Sequence, residues 1–259
     1  MSRRMNTFSP SREIRKIRYE WKTGGPVVTK AIIALCIIVW VVEELAWLFN
    51  QNMLMWLENY FAFIPAMTTS APWNALTSMF MHAAGTDFWH IVCNMISLWF
   101  IGPALERVYG HWQYLALYLT CGLGGDAGLM TYARCVDTVP AWLSSSWGAS
   151  GAIFGLMGSL LVIYKQSKMD MIQLIIVVVM NLAMPLFVPN VAWQAHVGGL
   201  LTGMAATALM SGRLPFMRAM NYVKRVAVSV VALLVVVLVV FVVCNGTSSI
   251  PRLVSSLSF

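Results

Sequence analysis

The chain is short of charge. Only 10% of its 259 residues are Asp, Glu, Lys or Arg, where an ordinary globular domain carries about 25%. With 59% of residues apolar, such a surface excludes a soluble globular fold. Apolar runs approaching the ~20 residues that cross a bilayer recur along the chain, so the solvent for most of it is lipid. Acidic residues are the scarcer sign, 10 against 17 basic, for a net charge of +7. In a soluble protein that excess would raise nucleic acid as a partner. Here the basic residues are bunched, eight at or before Lys30 and four more (Arg213, Arg218, Lys224 and Arg225) between two late apolar runs. Bunching of this kind reports membrane orientation, and nucleic acid is set aside.

Other absences narrow the class further. The five cysteines, Cys36, Cys93, Cys121, Cys135 and Cys244, show no CxxC spacing, so neither a disulfide framework nor a zinc site is signalled. They read as small apolar packing residues. No small-residue cleavage site follows the first apolar run, which argues against a removable signal peptide. No internal repeat is present, whereas a transporter built on inverted repeats would show one.

What is there is a series of seven apolar stretches, at 28–49, 88–105, 112–133, 148–164, 171–188, 191–210 and 226–244. The expected fold is all-α, a polytopic transmembrane helical bundle. Placing the N-terminus in the cytoplasm puts fifteen of the 17 basic residues inside and leaves only Arg134 and Arg252 outside. The positive-inside rule therefore sets the N-terminus in and the C-terminus out. Residues 1–26 read as a basic cytoplasmic tail, 27–212 as the core, and 213–259 as a linker, a seventh helix and a short outer tail. Glu43 and Glu44 mark the outer end of the first stretch or face a wet cavity. The long outer connection, 50–87, has no Lys or Arg and includes Met53, Leu54, Trp56, Tyr60 and Phe61. It is too apolar for a free loop and too interrupted for a span, so it is placed partly in the interface.

Polar groups inside spans are costly and call for a reason. Four stand out: His90 and Asn94 in the second stretch, Ser150 in the fourth, and His196 in the sixth. At ~1.5 Å per residue all lie within roughly 10 Å of the outer boundary, in one layer. Ser150 sits among Gly148, Gly151 and Gly155, and His196 lies beside Gly199 and Gly203. Small residues at such spacing let helices approach closely, which by itself accounts for a serine there. A buried imidazole has no comparable packing use. If the two glycine faces meet, Ser150 and His196 come within hydrogen-bond reach, and an imidazole beside a hydroxyl activates it as a nucleophile. His90 and Asn94, at i and i+4, share a helix face. They serve either as an interhelical hydrogen-bond staple or, with the N–H of Ser150, as donors to an oxyanion. Asp126 is a candidate third member that would orient His196, or a buried carboxylate paired with a neighbour. His82, Glu106 and Arg107 read as structural.

These motifs together resemble the rhomboid family of intramembrane serine proteases: Gly-x-Ser-Gly at Gly148 to Gly151, Ala-His-x-x-Gly at Ala195 to Gly199, and His-x-x-x-Asn at His90 to Asn94. The resemblance spans the first through the sixth stretch. It implies a six-helix core with one added C-terminal helix, the six-plus-one arrangement of bacterial members. It further implies Ser150 as nucleophile, His196 as general base and acid, and His90, Asn94 and the Ser150 amide as the oxyanion site. Phe154 matches the position that stacks on the base. The implied activity is endoproteolysis of single-span membrane proteins near the outer face of the cell membrane, with no cofactor or metal and with the lipid bilayer as surroundings. Substrate entry is expected beside the fifth stretch under a cap at 184–194. Where relatives carry Trp-Arg in the long loop, this chain has Trp73-Asn74. A rhomboid-like protein that retains transmembrane clients without cutting them would ordinarily lack the serine or the histidine, and both are present.

Overall fold

A computed structural model describes residues 10–85, 87–183 and 191–251. The helices are joined by turns and loops, and the one β-type pairing among the described residues is an isolated antiparallel bridge between Phe63 and Ser146. The long helices are α2 (Val27–Phe49), α5 (Phe88–Tyr109), α6 (His111–Val136), α8 (Ser150–Ser167), α10 (Trp193–Met210) and α12 (Tyr222–Thr247), with a shorter apolar α9 (Ile172–Ala183). Smaller helices are α1 (Pro10–Thr23), α3 (Gln51–Phe61), α4 (Asn74–Thr77), α7 (Val139–Trp142) and α11 (Pro215–Arg218).

The bundle sorts its helices by polarity. Among the described residues, α2, α5 and α12 are the three long and apolar enough to cross a bilayer on composition, and most of each faces outward. Helices α6, α8 and α10 are richer in Gly, Ser and Thr and pack together at the centre. In lipid, apolar side chains gain nothing by being buried, so the interior is built from small residues that bring backbones into contact. Gly203 shows why. A Cβ there would stand 2.7 Å from the Cα of Gly155, and one at Gly199 would run into the carbonyl group of Gly151. The α8–α10 interface is therefore backbone against backbone at two successive turns. Helix α6 closes the third side, where Gly128 meets the backbone of Gly198.

Helix ends are tied down by partners distant in sequence. The first N–H groups of a helix lack intrahelical acceptors. In α2 those of Val28 and Thr29 donate to the Glu106 carboxylate on α5, each at 2.8 Å, and the Thr29 hydroxyl adds a third bond at 2.7 Å. At the other end of α2, Glu43 accepts from the N–H of His82 at 3.0 Å and Glu44 from that of Gly85 at 2.9 Å. The two carboxylates thus hold the segment that leads into α5. Helix α12 lies against α6 and α10. Its first turn is fixed by the Tyr222 hydroxyl donating to Tyr109 O at 3.0 Å, and its last by the Ser248 hydroxyl donating to Asp137 at 2.7 Å.

The N-terminal segment carries α1, joined to the bundle by a 2.7 Å Lys30–Glu20 ion pair and by Trp21 stacked on His111. One expectation needs revision. Gly148 is not a helix-packing glycine. It precedes α8 at φ 121°, a conformation that favours glycine, and its nearest side chain is the imidazole of His90.

Candidate active site

Ser150 opens α8 and His196 lies in the first turn of α10. Close contact between the two glycine faces draws these helices together, and His196 Nε2 comes to 2.9 Å from Ser150 Oγ. The imidazole is held flat by Phe154, one turn after Ser150, with ring centroids 4.3 Å apart and planes 9° from parallel. His196 is buried, and its Nδ1 has no hydrogen-bond partner among the described residues. Asp126 is also buried, and its Oδ2 has no hydrogen-bond partner among the described residues, His196 Nδ1 included.

His90 approaches from α5. Its Nδ1 accepts the N–H of Ala83 at 3.3 Å, which leaves the proton of a neutral ring on Nε2. That nitrogen lies 2.9 Å from the point where a Cβ on Gly148 would stand, and Ser150 Oγ lies 3.8 Å from the same point. The absence of a side chain at Gly148 is therefore what lets the imidazole reach the mouth of α8. Asn94, one turn on, donates through Nδ2 to His90 O at 2.8 Å. A side-chain amide has two N–H bonds, so this contact fixes the group and leaves one donor in hand. As the first residue of α8, Ser150 also has a backbone N–H at the positive end of the helix dipole.

One neighbour of this group reads from sequence only as structural. His82 is buried in the connection before α5, with its ring 5.3 Å from that of His90 and its Nδ1 3.3 Å from Phe80 O. Burial, and then the proximity of His90, push its pKa down to about 3. It lies outside the helix that carries His90, so no periodicity within one element links the two. Of the expected cap at 184–194, residues 184–190 lie outside the described residues.

A profile of the rhomboid domain matches residues 69–213, a stretch that contains all of these side chains. The chain belongs to the rhomboid family. It is 30% identical over 188 residues to the putative rhomboid protease YdcA of Bacillus subtilis, a match covering 69% of this chain and 85% of that protein. It is 30% identical over 143 residues to rhomboid protease GluP of the same organism, covering 53% of the chain and 26% of the relative. RHOMBOID-like protein 5 of Arabidopsis thaliana is 36% identical over 138 residues, covering 51% and 41%. The matched region is thus well under two thirds of the length of the last two relatives, so likeness to them is likeness of the rhomboid domain.

Proposed function

We propose that this rhomboid chain is an intramembrane serine endopeptidase in which Ser150 and His196 form the catalytic dyad. The observation that carries the reading is the 2.9 Å approach of His196 Nε2 to Ser150 Oγ under the flat cover of Phe154. A serine hydroxyl is a weak nucleophile until a neighbouring base takes its proton. His196 Nε2 accepts that proton as Oγ attacks the substrate carbonyl. The negative charge then developing on the carbonyl oxygen is received by Nε2–H of His90, the free N–H of Asn94 and the N–H of Ser150. Donors preset for developing charge in a water-poor site commonly contribute more to such catalysis than any other effect, about 3 to 4 kcal/mol for each donor removed. His196 returns the proton to the leaving amine, and water completes the cycle by hydrolysing the Ser150 ester.

The same proposal assigns topology and substrate. Helices α2, α5, α6, α8, α9 and α10 form a six-helix core within 27–212, preceded by the cytoplasmic segment 1–26. Helix α12, within 213–259, is the added seventh. With fifteen basic residues on the cytoplasmic side, the dyad lies near the outer face of the cell membrane. Substrates are single-span membrane proteins. A transmembrane helix shields its own peptide bonds, so cleavable segments carry Gly or Pro, which weaken the helix near the cut.

The purified full chain and its Ser150→Ala and His196→Ala variants, incubated with a single-span substrate in liposomes, test the reading. Cleavage by the parent alone supports it. A parent that neither cleaves several such substrates nor labels at Ser150 with a fluorophosphonate overturns it.

A further inference from the structure

The basic residues of α1 are arranged for a surface, not merely for orientation. Ile14, Ile17 and Trp21 fall at i, i+3 and i+7, on one face. All three are open to the surroundings, Ile14 at 58% and Ile17 at 51%. With Arg18 and Lys22 they line a shallow groove. Arg15 and Lys16 continue the basic border around the helix, while the one acid among the described side chains of α1, Glu20, is paired with Lys30.

This helix is held in place. The Trp21 indole lies on the His111 ring at 4.1 Å and 22°, and Trp112 meets it edge-on at 5.5 Å. His111 Nε2 donates to Trp21 O at 2.9 Å, while Nδ1 lies 2.5 Å from the same Glu106 carboxylate that caps α2. Helix α1 is thus bolted to the junction of α2, α5 and α6 through one imidazole. Only residues 24–26 separate it from α2. It cannot stand off into water without breaking that set of contacts, so its apolar stripe stays at the level of the helix ends.

We infer that α1 is a docking surface for anionic phospholipid headgroups of the cytoplasmic leaflet. The inference rests on the proposed orientation. An apolar stripe set at the bilayer boundary inserts among acyl chains, and paired tryptophans at that level suit the interface. A zwitterionic leaflet would satisfy the stripe but would leave Lys16, Arg18 and Lys22 without net attraction, whereas an anionic one draws each of them. Because α1 is joined to Glu106 through His111, lipid held there also braces the start of α2.

The test uses the purified full chain in nonionic detergent, titrated with mixed micelles of phosphatidylglycerol or of phosphatidylcholine while Tm is followed. The Tm is expected to rise with phosphatidylglycerol and not with phosphatidylcholine, and the rise should shrink in high salt. A variant carrying Lys16→Gln, Arg18→Gln and Lys22→Gln should need roughly tenfold more phosphatidylglycerol or fail to respond. Substituting Arg213, Arg218 and Lys224 by Gln should leave the response intact. An unchanged response in the α1 variant, or equal response to both lipids, overturns the inference. If the α1 variant does not fold, a salt-insensitive shift in the parent overturns it instead. Protease access to an N-terminal tag in right-side-out vesicles reads orientation separately. A tag cut from outside overturns the cytoplasmic placement whatever the micelles show.

Discussion

Phe154 and His196 lie face to face, 4.3 Å apart and 9° from parallel, on two different helices. The stack leaves the imidazole one plane in which to sit, and in that plane Nε2 meets Ser150 Oγ at 2.9 Å. Replacing Phe154 by Leu keeps the apolar volume but releases the ring. A displacement of about 1 Å at a reacting group costs on the order of a hundredfold in rate. Phe154→Leu is therefore expected to lower kcat by tenfold to a hundredfold, on the order of 1.4 to 2.7 kcal/mol. Phe154→Tyr should keep most of the activity. Turnover of a single-span substrate, with Tm as a check on folding, distinguishes the two.

The glycines that bring Ser150 and His196 together make a second prediction. A methyl group at Gly203 would press on Gly155, and one at Gly199 on Gly151, the residue after Ser150. The obstruction in both cases is backbone, which cannot swing aside as a long side chain would. Overpacking of this kind costs about 1 to 3 kcal/mol. Gly199→Ala and Gly203→Ala should both lower Tm, and Gly199→Ala should cost more activity because it pries the helices apart beside Ser150 and His196. Equal activity loss from the two would contradict that argument.

Much of this is open to reading from the chain itself. Each of the seven apolar stretches coincides with a helix over its described residues, apart from 148–149, 171 and 191–192, which lead into α8, α9 and α10, because span length and apolar composition are local properties. Ser150 and His196 are legible as a pair because each carries its own glycine face, and matching faces imply contact. Long-range polar bonds are not. Glu106 caps a helix through Val28, 78 residues earlier in the chain, and nothing in the local sequence names its partner. The ordering of α1 is hidden for the same reason, since it depends on Trp21 meeting His111 across 90 residues. The place of His82 is hidden in the same way, since its backbone N–H is held by Glu43 on another helix, 39 residues earlier.

The Glu106 cap supplies a third prediction. Its carboxylate receives two backbone N–H groups, a hydroxyl and an imidazole. Glu106→Ala would leave buried donors without acceptors, a loss of about 3 to 5 kcal/mol for a broken buried charged group. Glu106→Gln keeps one acceptor oxygen but turns an amide toward existing donors, so it should fall between parent and Ala. Urea or thermal unfolding in detergent orders the three. An Ala variant as stable as the parent would mean that solvent replaces the carboxylate at the start of α2.

His82 makes stability depend on pH. Its pKa is pushed from about 6.5 down to about 3, first by burial and then by His90. The folded protein therefore holds this imidazole neutral, while the unfolded chain takes up a proton below about pH 6.5. A depressed folded pKa contributes stability that is whole above the unfolded value and is lost progressively as pH falls toward the folded one. Between pH 7 and pH 5 the expected loss from this group is about 2 kcal/mol. His82→Gln, which cannot titrate, should be less stable than the parent at pH 7 but should lose correspondingly less on acidification. Unfolding measured at pH 7, 6 and 5 for both proteins yields the difference directly. Parallel pH profiles would show that His82 is solvated, and that its place behind His90 does not keep it neutral.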